Sequence, residues 1–401
     1  MTTLRNLLVL VSLATLAQIQ GCGGASEPAA SAPTTSSNVQ AISVAPGPVN
    51  NVNLATTSVI LCAPGSNSSC QVIDNIVIDT GSTGLRILSS AISASLGLVQ
   101  QVNSVGAAVV QCAYFVDGYT WGPVKLADLR IADERAGSLP IQVIGDPDFP
   151  NVPSRCSSSG PSKNSVQELR ANGILGMGVF RQDCGSACTQ PNDRAMYYVC
   201  TSSVCQQAPI ALAQQVQNPV AKFPRDNNGV IIRLPSVPAA GAERVDGTLV
   251  FGIGTQPNNG LGTATVIGVD PASGNFTTRY NGNALSASFL DSGSNGLFFS
   301  DSIAVCASTT PAPGFYCPAS TIDASAVIEG ANGASASVAF SVANAAALLT
   351  DNPGFTAFPN LGAPFVTNSF DWGLPFFYGR SVYTAIEGAP TPAGAGPYVA
   401  F

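Results

Sequence analysis

A mostly β chain built from two related halves is the predicted fold class, on three observations. Only 10% of residues are charged while Gly (40) and Pro (29) are abundant, a composition of strands and turns rather than of long amphipathic helices. Apolar runs of strand length recur with turn residues between them. The pattern Asp-Ser/Thr-Gly-Ser occurs twice, in IVIDTGSTGL at 76–85 and SFLDSGSNGL at 288–297, in a 401-residue chain long enough for two large cores.

The chain opens with MTTLRNLLVLVSLATLAQIQGC, one basic residue followed by an apolar stretch too short to cross a membrane and a Gly-Cys end. Residues 1–21 are predicted to be a lipoprotein-type signal peptide and Cys22 the lipidated residue, giving an exported protein of the cell envelope (outer membrane or cell surface), or a secreted one. Contact with a membrane is expected only through that lipid. Residues 22–48, rich in Ala, Ser, Thr and Pro, are predicted to be a flexible tether.

Strands are predicted at 52–62, 75–79, 107–115, 139–145, 229–235, 247–254, 264–270, 286–291 and 380–388, each an apolar or β-branched run bounded by turn residues. Helical signal is sparse, with 89–99, 209–216 and 300–306 as the candidates. Each Asp turn leads into a further strand and a helix candidate that starts at Ser, so the two halves repeat one unit as a diverged duplication. Loops at PRDNNG and TQPNNG place the division between them, giving 49–245 and 246–401, in a chain expected to be a monomer.

Without Cys22 there are ten cysteines, an even number that in an exported chain predicts five disulfides. Cys62 with Cys70 and Cys306 with Cys317 are predicted as short loops. The pairing of Cys112, Cys156, Cys184, Cys188, Cys200 and Cys205 stays open. No metal and no cofactor are expected, since C-x3-C at 184 and C-x4-C at 200 lie in polar loop sequence.

Histidine is absent, which removes Ser/His/Asp and Cys/His nucleophilic machinery and His-based zinc sites. With 16 basic and 23 acidic residues the net charge is -7 and no basic run exists to meet a phosphate backbone, so nucleic acid is not an expected partner. Chemistry would fall to carboxylates. Asp79 and Asp291 each end an apolar run, with Gly81 and Gly293 allowing close backbone approach. If the two turns meet, their carboxyls would share a proton, one acting as base on a water and the other as acid on a carbonyl oxygen.

With those turns and with ANGILGMG at 171–178, GTLVFGIG at 247–254 and LPFFYGRSVYTAIEG at 374–388 in this order, the chain resembles the pepsin-like aspartic proteases over roughly residues 50–401. The resemblance implies a bilobal fold, two β-barrel-like lobes with a central cleft and a few short helices, acting as an endopeptidase on peptide or protein substrates. It makes Asp79 and Asp291 the catalytic pair. Thr80 and Ser292 take the positions that lock the two loops together, and Ser82 and Ser294 those that hydrogen-bond the outer carboxylate oxygens. A flap is implied at 113–122, with Tyr114, Phe115 and Tyr119 as substrate contacts. Four positions depart from the family pattern: Phe115 replaces a Tyr, Arg86 a Trp, and Leu374-Pro375 stand where Gly-Asp is usual. The competing expectations are a non-catalytic surface-binding lipoprotein on the same scaffold and a stapled β adhesin in which the motifs are only turns.

Overall fold

The computed structural model describes residues 37–194, 196–201 and 204–401. The expected signal peptide and Cys22 lie outside these residues. Among the described residues the chain is mostly β, with a sheet of 16 strands, one of seven and one of two, and only short helices.

The two large sheets repeat one local topology. In the first half, Cys70–Asp79 runs parallel to Gly173–Met177, and Thr83–Leu88 runs antiparallel to it on its other side. In the second half, Asn283–Leu290 and Leu297–Phe299 flank Phe370–Trp372 in the same senses. Each Asp turn therefore joins the two neighbours of a strand that arrives much later in the chain. Gly173 and Gly176 fit the first central strand because a Cβ there would lie 2.4 Å from the Arg86 carbonyl oxygen and 2.8 Å from the Gly84 nitrogen, respectively.

Behind these units, Val39–Val44, Val245–Phe251, Gly229–Leu234, Arg380–Ala385, Tyr398–Ala400 and Val266–Gly268 pair in that order, all antiparallel. The larger sheet also curls back on itself, since Ala55–Cys62 pairs with both Cys70–Asp79 and Gly118–Ile131. In the seven-stranded sheet, Phe299 stacks on Phe370 with ring centroids 4.6 Å apart and Phe370 on Trp372 at 4.0 Å, all three fully buried.

Several expectations need correction. The tether does not reach residue 48, because Val39–Val44 is a strand whose alternate residues Ile42 and Val44 are buried against Val245–Phe251. The division expected at 245/246 falls at the first residue of that same partner strand. The helix candidate at 89–99 forms two single turns, Ser89–Ala91 and Ala94–Leu96, ended by left-handed Gly97. The 209–216 candidate is one turn, Leu212–Gln214, and 300–306 is loop. The longest helix, Ala345–Asp351, is one not expected, capped by Asn344 accepting from the Ala347 amide.

All ten cysteines among the described residues are paired. Cys62–Cys70 and Cys306–Cys317 form as expected, and the remaining six pair as Cys112–Cys156, Cys184–Cys188 and Cys200–Cys205. Five disulfides mark an extracytoplasmic protein. No helix among the described residues is long and apolar enough to cross a membrane.

Candidate active site

The two Asp turns meet. Thr80 Oγ1 donates to the Leu290 carbonyl (3.2 Å) and accepts from the Ser292 amide (3.0 Å); Ser292 Oγ donates to the Ile78 carbonyl (2.7 Å) and accepts from the Thr80 amide (3.1 Å). Each hydroxyl thus donates to one strand end and accepts from the opposite turn, so neither turn can shift without breaking bonds made by the other. Thr80 and Ser292 are both buried, which makes the lock costly to open.

This lock presents Asp79 and Asp291 to each other. Asp79 Oδ1 accepts from the Gly81 and Ser82 amides (2.8 and 3.0 Å), and Oδ2 accepts from Ser82 Oγ (2.5 Å). Asp291 Oδ1 accepts from the Gly293 amide (2.7 Å) and Oδ2 from Ser294 Oγ (3.0 Å). The carboxyls lie within hydrogen-bond reach of each other, and burial, then the proximity of Asp79 and Asp371, pushes Asp291 well above the ordinary carboxylate range. Glycine is required at both turns for this approach. A Cβ on Gly81 would lie 2.5 Å from Asp291 Cγ, and one on Gly293 would lie 2.9 Å from Asp79 Cγ.

Both carboxyls open into a cleft of about 430 Å³, whose walls include Phe115, Phe298, Phe315 and Phe365 and whose charged lining includes Asp117, Lys163, Glu168 and Arg170. Phe115 comes from the expected hairpin. Ala108–Phe115 and Gly118–Ile131 pair with Tyr114 opposite Tyr119 and Phe115 opposite Gly118, leaving Val116 and Asp117 as the turn. Adjacent strand residues face opposite ways. Phe115 therefore lines the cleft while Tyr114 and Tyr119 pack with Trp121, Tyr198 and the Cys112–Cys156 disulfide, away from it. The three residues expected to act together are split by strand alternation. Burial, and then the neighbouring Tyr198, pushes the Tyr114 hydroxyl up to about 12.

The hairpin is tied down along one edge. Tyr119 and Lys163 exchange backbone hydrogen bonds with each other's segment, Tyr119 N to Pro161 O at 3.0 Å and Lys163 N to Tyr119 O at 2.8 Å. Lys163 Nζ also pairs with Asp117 at the tip (2.6 Å). Beneath the hairpin, Arg86 sets its guanidinium 5.8 Å from the Phe115 ring centroid and pairs with buried Asp183 at 3.0 Å. Asp183 in turn accepts from Tyr197 (2.6 Å) and from Gln111 of the hairpin.

One residue of the site has no counterpart in the sequence-based set. Asp371, in the cleft wall, brings its Oδ2 within 2.6 Å of Ser294 Oγ, the same hydroxyl that reaches Asp291. Its signal was present in SFDWG, an acid inside an apolar run. Among the described residues no group of acids, cysteines or histidines is arranged to hold a metal ion.

The chain belongs to the family described as protein of unknown function (DUF3443), which it matches over residues 34–401. No curated protein matches it.

Proposed function

We propose that this member of a family of unknown function is an aspartic-type endopeptidase with the two-lobed pepsin-like fold. The observation that carries the reading is the reciprocal Thr80–Ser292 lock, which holds Asp79 and Asp291 face to face at the floor of a cleft. A scaffold that only bound a partner would gain nothing from two carboxyls held against each other, because such a pair costs stability.

In the proposed reaction the pair carries one proton. The ionised member takes a proton from a water, which attacks the scissile carbonyl carbon, while the protonated member donates to the carbonyl oxygen. The amide bonds to Oδ1 and the hydroxyl contacts at Oδ2 fix the orientation of both acids before substrate arrives. The aromatic walls suit side chains flanking the scissile bond, and Phe115 would cover the peptide from the hairpin side. A lipid on Cys22 would hold the enzyme at the cell envelope.

The test is mass-spectrometric analysis of a peptide library incubated with the purified mature protein from about pH 3 to pH 7, a range bracketing ordinary carboxyl titration. Cleavage that is lost in Asp79→Asn and in Asp291→Asn supports the reading. Absence of cleavage at every pH overturns it and favours a peptide-binding role for the same cleft.

A further inference from the structure

The duplicated topology allows the two halves of the site to be compared position by position. Val77 pairs with Ile174 in the first unit as Phe289 pairs with Asp371 in the second. Arg86 pairs with Ile174 as Phe298 pairs with Asp371. Asp371 therefore stands where the first half has an isoleucine. Its neighbours Phe370 and Trp372 point into the aromatic core, and alternation turns Asp371 towards the cleft, whose wall also contains Ile174.

An acid at this place is chemically constrained. Only 3% of Asp371 is exposed, and among the described residues no Lys or Arg pairs with it. Its Oδ1 is buried without a hydrogen-bond partner, and its Oδ2 contacts Ser294 Oγ. A carboxylate with one bare buried oxygen pays an uncompensated desolvation cost that the neutral acid largely avoids. The titratable groups facing it are Asp291 and Asp79, both acids; the other charged groups of the cleft are Asp117, Lys163, Glu168 and Arg170, of which Lys163 is engaged by Asp117.

Ser294 sharpens the constraint. Its oxygen lies 2.6 Å from Asp371 Oδ2 and 3.0 Å from Asp291 Oδ2, yet a hydroxyl has one proton to donate. For both contacts to be hydrogen bonds, one of the two carboxyls must itself be protonated and donate to the serine oxygen.

The geometry points to Asp371 as a third carboxyl of the site, one that stores a proton and exchanges it with Asp291 through the Ser294 hydroxyl. In the exchange, Asp371 Oδ2–H donates to Ser294 Oγ while Ser294 Oγ–H passes to Asp291 Oδ2. The proton bound to Asp291 is gained, Asp371 is left as carboxylate, and the serine is unchanged. Burial pushes Asp371 well above the ordinary range, with donation from Ser294 acting against this and Asp79 adding to it. The catalytic consequence rests on the peptidase reading; the proton inventory does not. Asp371 touches no reacting atom in this scheme, so it is a positioning residue that sets how many protons the pair can draw on.

The experiment has two arms, using Asp371→Asn and, as a variant that copies the first half of the molecule, Asp371→Ile. First, the infrared absorption of protonated carboxyl groups is measured on wild type and variants at about pH 5.5, above ordinary carboxyl titration. The proposal expects the loss of one carboxyl's worth of absorbance in either variant; an unchanged band means that Asp371 is ionised and overturns it. Second, kcat/KM for a cleaved peptide is followed against pH. A proton stored on Asp371 and passed to Asp291 keeps the pair supplied as pH rises, so the alkaline limb of Asp371→Asn should move about one unit to lower pH. A profile scaled down at every pH with its limb unmoved would assign a purely structural role and overturn the exchange. If wild type cleaves nothing while the infrared band still falls in the variants, the peptidase reading fails and the stored proton stands.

Discussion

Gly81 and Asp291 occupy one another's space: a Cβ on the glycine would sit 2.5 Å from Asp291 Cγ and 2.6 Å from its Oδ2. The relation is reciprocal, since Gly293 faces Asp79. Gly81→Ala must therefore push the carboxyls apart while leaving both present. The expected outcome is a loss of cleavage of about a hundredfold or more, the scale on which ångström misplacement acts, at a stability cost of about 1–3 kcal/mol for local overpacking. Gly260→Ala, where an added Cβ meets nothing within 4 Å, is the control. Parallel assays and thermal melts of the two variants check this, and equal activity would show that the close approach of the carboxyls is dispensable.

Buried acids with raised proton affinity also predict how stability follows pH. Asp291 and Asp371 are both pushed up by burial, so the folded state binds protons that the unfolded chain has released. Their stabilising contribution is complete below the unfolded value of about 4 and is lost as pH rises, at up to about 1.4 kcal/mol per pH unit for each proton. Glu134, pushed up to about 6 by burial and by Asp226, adds to the same slope. The informative quantity is thus the difference between proteins. Tm should fall between about pH 4 and pH 7 in wild type and fall less in Asp371→Asn, where one of these groups no longer titrates. Parallel curves would contradict the burial-driven shift.

What could be read from sequence was what is local. The Asp turns, the strands feeding them and the two short-loop disulfides are each written within about a dozen residues, where turn and strand chemistry decide the outcome. Asp371 shows locally only as an acid in the apolar run SFDWG; its place in the site comes from register against Asn283–Leu290, which no short stretch encodes. The split of Tyr114 and Tyr119 from Phe115 follows from strand alternation, a property that any hairpin over these residues carries. The Ile322–Glu329 and Ser335–Val342 hairpin escaped notice because its strands are largely Ala and Ser, too small to give an apolar period. The helix candidates failed for a related reason: Ser and Gly supply turns as readily as helix.

The disulfide Cys112–Cys156 staples the hairpin strand to the helix Ser154–Ser157, closing a separation of 44 residues. Replacing both cysteines with Ser should lower stability by about 2–4 kcal/mol through the freed unfolded chain. The hairpin should also loosen in the folded state, since the staple sits beside its main-chain bonds to Pro161 and Lys163. Hydrogen exchange would then speed at 108–124 more than in the strand Val245–Phe251 of the same sheet. Uniform acceleration would indicate that the bond acts on global stability alone.

The Arg86–Asp183 pair offers a test of the polar layer beneath the hairpin. Both side chains are only 3% exposed, and Asp183 is additionally held by Tyr197 and Gln111. Arg86→Met would leave a buried acid without its cation, which costs about 3–5 kcal/mol, far more than an exposed pair would. Adding Asp183→Asn removes the stranded charge while keeping an acceptor for Tyr197, so the double variant should recover most of the loss. The single variant should show a distinctive pH dependence. With the arginine gone, only the hydrogen bonds from Tyr197 and Gln111 oppose the burial that drives Asp183 towards the neutral form. Its folded proton affinity, already above the unfolded one, rises further, so the deficit should be smallest below about pH 4 and grow as pH rises. Urea melts of both variants at acidic and neutral pH separate this from simple loss of packing: a deficit independent of pH, with no recovery in the double variant, would mean that the arginine stem beside Phe115 matters and its charge does not.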